Sequence, residues 1–157
     1  MTLVSQTLSA ALLLILVSGA AADARGSELA PFTSDGCSAF PDGTPAQQSL
    51  WARCCIRHDL AYWKGGDFQQ RIEADRDLAR CVSQVGEPAL AELMLAGVRV
   101  GGSPYWPTPF RWGYGWPYGR GYQPLGGAEK AQVSERLEQL DLLLQELSRE
   151  LRAEGPE

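Results

Sequence analysis

Cys54-Cys55-Ile56-Arg57-His58-Asp59-Leu60-Ala61-Tyr62 is the stretch on which the reading of this 157-residue chain turns. It holds two of the four cysteines and the only histidine, with no glycine or proline to interrupt a helix. The surrounding pattern predicts a helix from Ser49 to Trp63. At about 100° per residue, Cys54, Cys55, His58, Asp59 and Tyr62 fall within one arc of about 140°. Arg53, Arg57 and Lys64 form a separate basic flank. A helix that gathers its cysteines, its histidine and an acid on one side is not a generic amphipathic helix.

Lys64-Gly65-Gly66-Asp67 reads as a tight connection, and Phe68 to Val85 as a second helix stopped by Gly86 and Pro88. Phe68, Ile72, Leu78, Ala79 and Val82 all lie within about 60° of Asp75 on this helix. Asp75 therefore sits in the middle of the apolar stripe, where a carboxylate is costly unless something pairs with it. The short turn makes the two helices antiparallel neighbours, so facing positions have nearly constant index sums. The pairs Cys54/Cys81 and His58/Asp75 differ by only two in that sum. One register serves both a disulfide and a His–Asp contact.

A histidine oriented by a buried aspartate is a general-base device, because the carboxylate fixes the tautomer and stabilises the imidazolium. No serine or thiol nucleophile stands beside it, so the base would activate water directly. Asp59 points beside His58 and is left for a cation. A carboxylate next to a carbonyl-rich loop suits Ca²⁺ better than a soft metal. Zinc held by Cys54, Cys55, Cys81 and His58 is the competing reading, which oxidation of the thiols removes.

Leu8 to Val17 is an apolar run followed by small residues, too short to span a bilayer that needs ~20 apolar residues. It reads as a signal peptide over residues 1–22, although no basic residue precedes it. A secreted or periplasmic location follows, and in such a compartment four cysteines suggest two disulfides. Pairing Cys54 with its neighbour Cys55 is poor geometry within a helix. Cys37 is left with one of the adjacent pair and Cys81 with the other.

Residues 31–47 are turn-rich, and Pro88 to Val98 can form a third helix within a helical domain spanning 29–100. Residues 101–127 form a Gly/Pro-rich aromatic segment; eight of the fourteen aromatics lie in 101–122, with Arg111, Arg120 and no acid. The preferred reading is a wrap that completes a small core; a membrane-headgroup interface is the alternative. Ala128 to Ala153 is a strong helix, its coiled-coil-like unit drawn over 128–154. Val133, Leu137, Leu140, Leu144, Leu147 and Leu151 repeat at alternating spacings of four and three, an a/d seam for docking on its own domain or for homo-oligomer formation. The expected fold class is all-α. The net charge of −5 lies mostly in residues 128–157, and the chain lacks the positive field of a nucleic-acid binder.

Cys54 to Tyr62 resembles the CCxxHDxxY active-site helix of the secreted phospholipase A2 family. Ala74 to Cys81 is similar to the family's second helix, with an aspartate six residues before a half-cystine, and Asp35-Gly36-Cys37-Ser38 lies where its calcium loop would be. The likeness covers roughly residues 33–83. It implies disulfides Cys37–Cys55 and Cys54–Cys81, His58 as base, Asp75 as its orienting partner and Tyr62 as a hydroxyl donor to Asp75. It also implies Ca²⁺ held by Asp59 and the carbonyls of Gly36, Ser38 and Phe40. The implied activity is hydrolysis of the sn-2 ester of phospholipids at a membrane interface. The loop departs from the family pattern: Ser38-Ala39-Phe40-Pro41-Asp42-Gly43 stands where several glycines are usual, and Asp35 or Asp42 could donate oxygen instead. The alternative is a catalytically inactive scaffold or binding module that self-associates through its last helix.

Overall fold

The computed structural model describes residues 28–153; the expected signal segment lies outside them. Four helices form the described part: α1 (Ala52–Lys64), α2 (Phe68–Gln84), α3 (Pro88–Gly101) and α4 (Gly127–Ala153). Among the described residues there is no strand beyond one isolated bridge between Thr44 and Gln47. The all-α expectation holds, and so do the two disulfides, Cys37–Cys55 and Cys54–Cys81.

Helix α1 begins at Ala52, later than the sequence pattern suggests. The Trp51 backbone N–H donates to Asp42 O at 3.0 Å, and its indole donates to Pro41 O at 2.6 Å. Trp51 is thereby tied to the preceding loop, and residues 49–51 turn instead of joining the helix. Helix α2 starts sharply because Asp67 and Gln70 form a reciprocal capping box, each side chain accepting from the other's backbone N–H at 2.9 Å. Helix α3 runs on to Gly101, and the N–H of Gly102 closes it on Val98 O.

Helix α2 packs between α1 and α3. The main core joins Trp51, Cys54, Cys55, Leu78, Val82, Ala91 and Met94. Both disulfides lie in or against it, so the cross-links stiffen the same layer that hydrophobic burial holds.

The aromatic segment wraps the end of α1. The last carbonyls of a helix have no partner within it, and here the wrap supplies them. Gly113 N donates to Tyr62 O at 2.7 Å, Gly115 N to Trp63 O at 3.2 Å, and the Trp116 indole to Lys64 O at 2.7 Å. The Trp112 indole reaches Gly66 O at 2.9 Å. Arg111, expected on the surface in the interface reading, is buried and donates to Gly113 O and Trp116 O. Arg120 is held by Glu129 at 2.9 Å. Both cations of the segment are thus used in holding its own shape.

Helix α4 divides into two parts. Val133 is buried and Leu137 partly buried against a second core of Leu29, Trp63 and Trp116. From Leu142 onward the leucines are exposed.

The Cys54–Cys81 bridge closes a loop with sequence separation 27. Opening it in the Cys54→Ser/Cys81→Ser variant is expected to lower unfolding free energy by about 3.5 kcal/mol through unfolded-state entropy. Urea denaturation of parent and variant measures the difference; a change below about 1 kcal/mol would show that the core alone fixes the helix pair.

Candidate active site

Each of the three helices brings one face to a single point. From α1 come His58 and Tyr62, from α2 Asp75 and Arg71, and from α3 Arg99. Asp75 has no exposed surface, and His58 and Tyr62 are buried beside it. His58 Nε2 lies 3.0 Å from Asp75 Oδ1, and the Tyr62 hydroxyl donates to that same oxygen at 2.6 Å. A carboxylate can only accept here, so Nε2 carries the proton and Nδ1 is left as the basic nitrogen. Nδ1 makes no hydrogen bond within the described residues.

The second oxygen of Asp75 faces two guanidinium groups. Arg99 Nε stands 2.8 Å from Oδ2 and Arg71 Nε 3.8 Å away. The Arg99 contact is an ion pair out of line for a hydrogen bond, which leaves Oδ2 and Arg99 Nε without one. Arg71 also donates to the Tyr62 hydroxyl at 3.1 Å, and to the carbonyls of Val98 and Arg99 at 2.9 and 2.8 Å. It therefore ties α2 to the end of α3 while supporting the tyrosine that supports the carboxylate. Burial, joined by the adjacent Asp75 charge, pushes the Tyr62 phenol far above its ordinary value, so it remains a donor throughout the physiological range.

Sequence reasoning missed both arginines. Arg71 lies four residues before Asp75 on the same stripe, so a buried cation at that spacing was legible beside the buried acid. Arg99 comes from a helix whose packing no local pattern specifies.

A cavity of about 360 Å³ opens in front of His58. His58, Asp59 and Tyr62 line it together with Gly36, Ser38 and Phe40, so the expected catalytic and metal-site residues other than the buried Asp75 all line one cavity. Leu78, Met94, Val98 and Phe110 make the rest predominantly apolar. Gly102 lies directly against the Tyr62 ring, where a Cβ would meet the phenol.

The loop around Cys37 is held by acids. Asp42 Oδ1 accepts from Cys37 N at 2.8 Å and occupies the space a Cβ on Gly36 would need. Gly36 itself has φ +78°, and Ser38 shares the left-handed region at +35°. Ser38 Oγ donates to Asp35 at 2.9 Å. Asp59 Oδ2 accepts from Ser34 Oγ at 2.6 Å.

The Asp59 carboxyl is pushed up to about 6. Burial is the main cause; Asp35 and Asp42 also raise it, while the Ser34 hydroxyl and His58 lower it. A half-buried carboxylate repelled by two others is a group whose charge a hard cation would relieve. The residues expected to supply backbone carbonyls, Gly36, Ser38 and Phe40, line the same cavity as Asp59, and oxygen donors of this kind are the chemistry a hard cation takes. Among the described residues, no three side chains of His, Cys, Asp or Glu converge to hold a metal, so any ion here depends on backbone oxygens.

No family model, curated protein or solved structure matches this chain.

Because the folded-state value of Asp59 lies above its ordinary 3.8, the folded protein holds this proton more tightly than the unfolded chain does. That stabilisation is complete below about pH 4 and is lost as pH rises through about 6. In chelator, Asp59→Asn is expected to melt higher than the parent at pH 7.5, with the advantage disappearing toward pH 4. Thermal melts across that range test it; a pH-independent difference would contradict the burial effect.

Proposed function

We propose that this chain hydrolyses the sn-2 ester of phospholipids with a water molecule activated by His58. The observation that carries the reading is the His58–Asp75–Tyr62 cluster at the wall of an apolar cavity, with Asp59 one residue from the base. Hydrolysis begins when Nδ1 takes a proton from water as that water attacks the ester carbonyl. Asp75, hydrogen-bonded to Nε2, keeps the ring in the required tautomer and balances the imidazolium. Collapse of the tetrahedral intermediate breaks the bond to the glycerol oxygen. The imidazolium returns the proton to that leaving group, giving a fatty acid and a lysophospholipid.

Asp59 and the carbonyls of Gly36, Ser38 and Phe40 are the residues that would hold calcium. When bound, it supplies a Lewis acid for the ester carbonyl and a counter-charge for the phosphate. The apolar lining from Leu78, Met94 and Val98 suits an acyl chain. Tyr105, Trp106 and Phe110 are exposed on the wrap, and Phe110 also lines the cavity, which supports approach to a lipid surface. The two disulfides suit an oxidising compartment, and no helix among the described residues is long and apolar enough to cross a membrane. Secretion or periplasmic export is part of the proposal.

One observation favours a second reading, a non-catalytic module on the same scaffold. The Ser34 hydroxyl already occupies an oxygen of Asp59, so the loop has a partner for that carboxylate without an ion.

Mixed micelles of phospholipid, with calcium titrated against chelator, separate the two. The enzymatic reading expects calcium-dependent fatty acid release, reduced about 10³-fold in His58→Gln, and a calcium response lost in Asp59→Asn. Hydrolysis that survives His58→Gln would refute the assignment of the base. A parent protein that neither hydrolyses nor binds calcium would leave the scaffold reading.

A further inference from the structure

The leucine seam of α4 runs past the body of the protein on the face by which the helix is docked. With Leu144 at 0°, Val133, Leu137, Leu140, Leu147 and Leu151 all fall between about −60° and +20°. The first two positions of that arc are covered. Val133 and Leu137 pack on Leu29 and Trp116, the Leu29 N–H donates to Gln132, and Arg136 donates to Leu29 O. Leu140 is half-buried, and beyond it the arc is bare: Leu144, Leu147 and Leu151 are 53%, 45% and 71% exposed, and Leu143 at its margin is 50% exposed. Two turns of exposed leucine at a 3.5-residue spacing form an apolar surface suited to another helix.

We propose that the uncovered half of α4 pairs antiparallel with the same half of α4 from a second copy of this chain. Orientation follows from what already occupies the seam. A parallel partner would have to begin where Leu29 and Trp116 lie, whereas an antiparallel one overlaps only from Leu140 outward. In that register Leu140 faces Leu151 of the second copy, and Leu144 faces its Leu147.

Charge supports the same orientation. On the wheel above, Asp141 and Arg152 stand at about 60° and 80° on one flank. Antiparallel helices bring like flanks together, so Asp141 of each copy lies beside Arg152 of the other. Asp141 is bonded by Gln145 through one oxygen only, and Arg152 has no ion pair among the described residues. A parallel pair would leave Arg152 without this partner. The overlap spans under two heptads, which places the association among weak, concentration-dependent contacts.

Sedimentation equilibrium of the purified chain from about 1 to 100 µM tests the proposal. The parent is expected to move from one copy toward two across that range. Leu144→Glu/Leu147→Glu should stay monomeric with unchanged helical circular dichroism, while Leu142→Glu, on the opposite side of the helix, should still pair. Asp141→Arg or Arg152→Asp alone should weaken pairing about tenfold, and the double swap should restore it. A parent that remains monomeric throughout would overturn the proposal. So would a dimer that survives the Leu144/Leu147 variant, or leucine-dependent binding of a monomer to phosphatidylcholine vesicles.

Discussion

A carboxylate with no exposed surface stands where three helices meet, and its needs explain much of the surrounding structure. Removing an ion from water is costly, and the cost is offset only when opposite charge and hydrogen bonds are fixed around it. Asp75 receives the Tyr62 hydroxyl and His58 Nε2 on one oxygen and two guanidinium groups on the other. None of these partners is local except Arg71. Helix α1 must be antiparallel to α2 and in register, and α3 must return across α2 for Arg99 to arrive. The Cys54–Cys81 bridge holds the first of these conditions and the Arg71 contacts to the end of α3 hold the second.

The irregular wrap serves the same arrangement from outside. By donating to the terminal carbonyls of α1, it completes the helix that carries His58 and Tyr62. Trp112 packs edge-on against the Tyr62 ring with centroids 5.1 Å apart, and Gly102 leaves room on another side of the phenol. The tyrosine is thereby fixed in orientation as well as in partner. The stretch whose composition suggested a wrap completing a small core is a set of caps and wedges around one helix end and one hydroxyl.

The helix pair was legible because two periodicities agreed: a carboxylate on an apolar stripe, and an index sum shared by the cysteines and the His–Asp pair. Arg71 carried a comparable local signal. Arg99 did not, since its approach to Asp75 depends on how α3 crosses α2. The start of α1 was misplaced because Trp51 bonds to Asp42 and Pro41, a tertiary choice that helix propensity does not record. In α4 the seam is continuous in sequence but its burial is not. Periodicity identifies a face that wants cover; only the position of Leu29 and Trp116 shows where that cover ends. The loop around Cys37 was the least legible part, because its shape rests on backbone conformation and on the Asp42 contact to Cys37 N, which leave little trace in sequence pattern.

Everything catalytic in this account depends on which nitrogen of His58 bears the proton. The chain has a single histidine, so its ring gives one unambiguous set of resonances in a two-bond ¹H–¹⁵N correlation spectrum. For the neutral ring the account predicts the Nε2–H tautomer, with that proton held by Asp75 and Nδ1 unprotonated. A ring protonated on Nδ1, or averaging freely between the two tautomers, would contradict it.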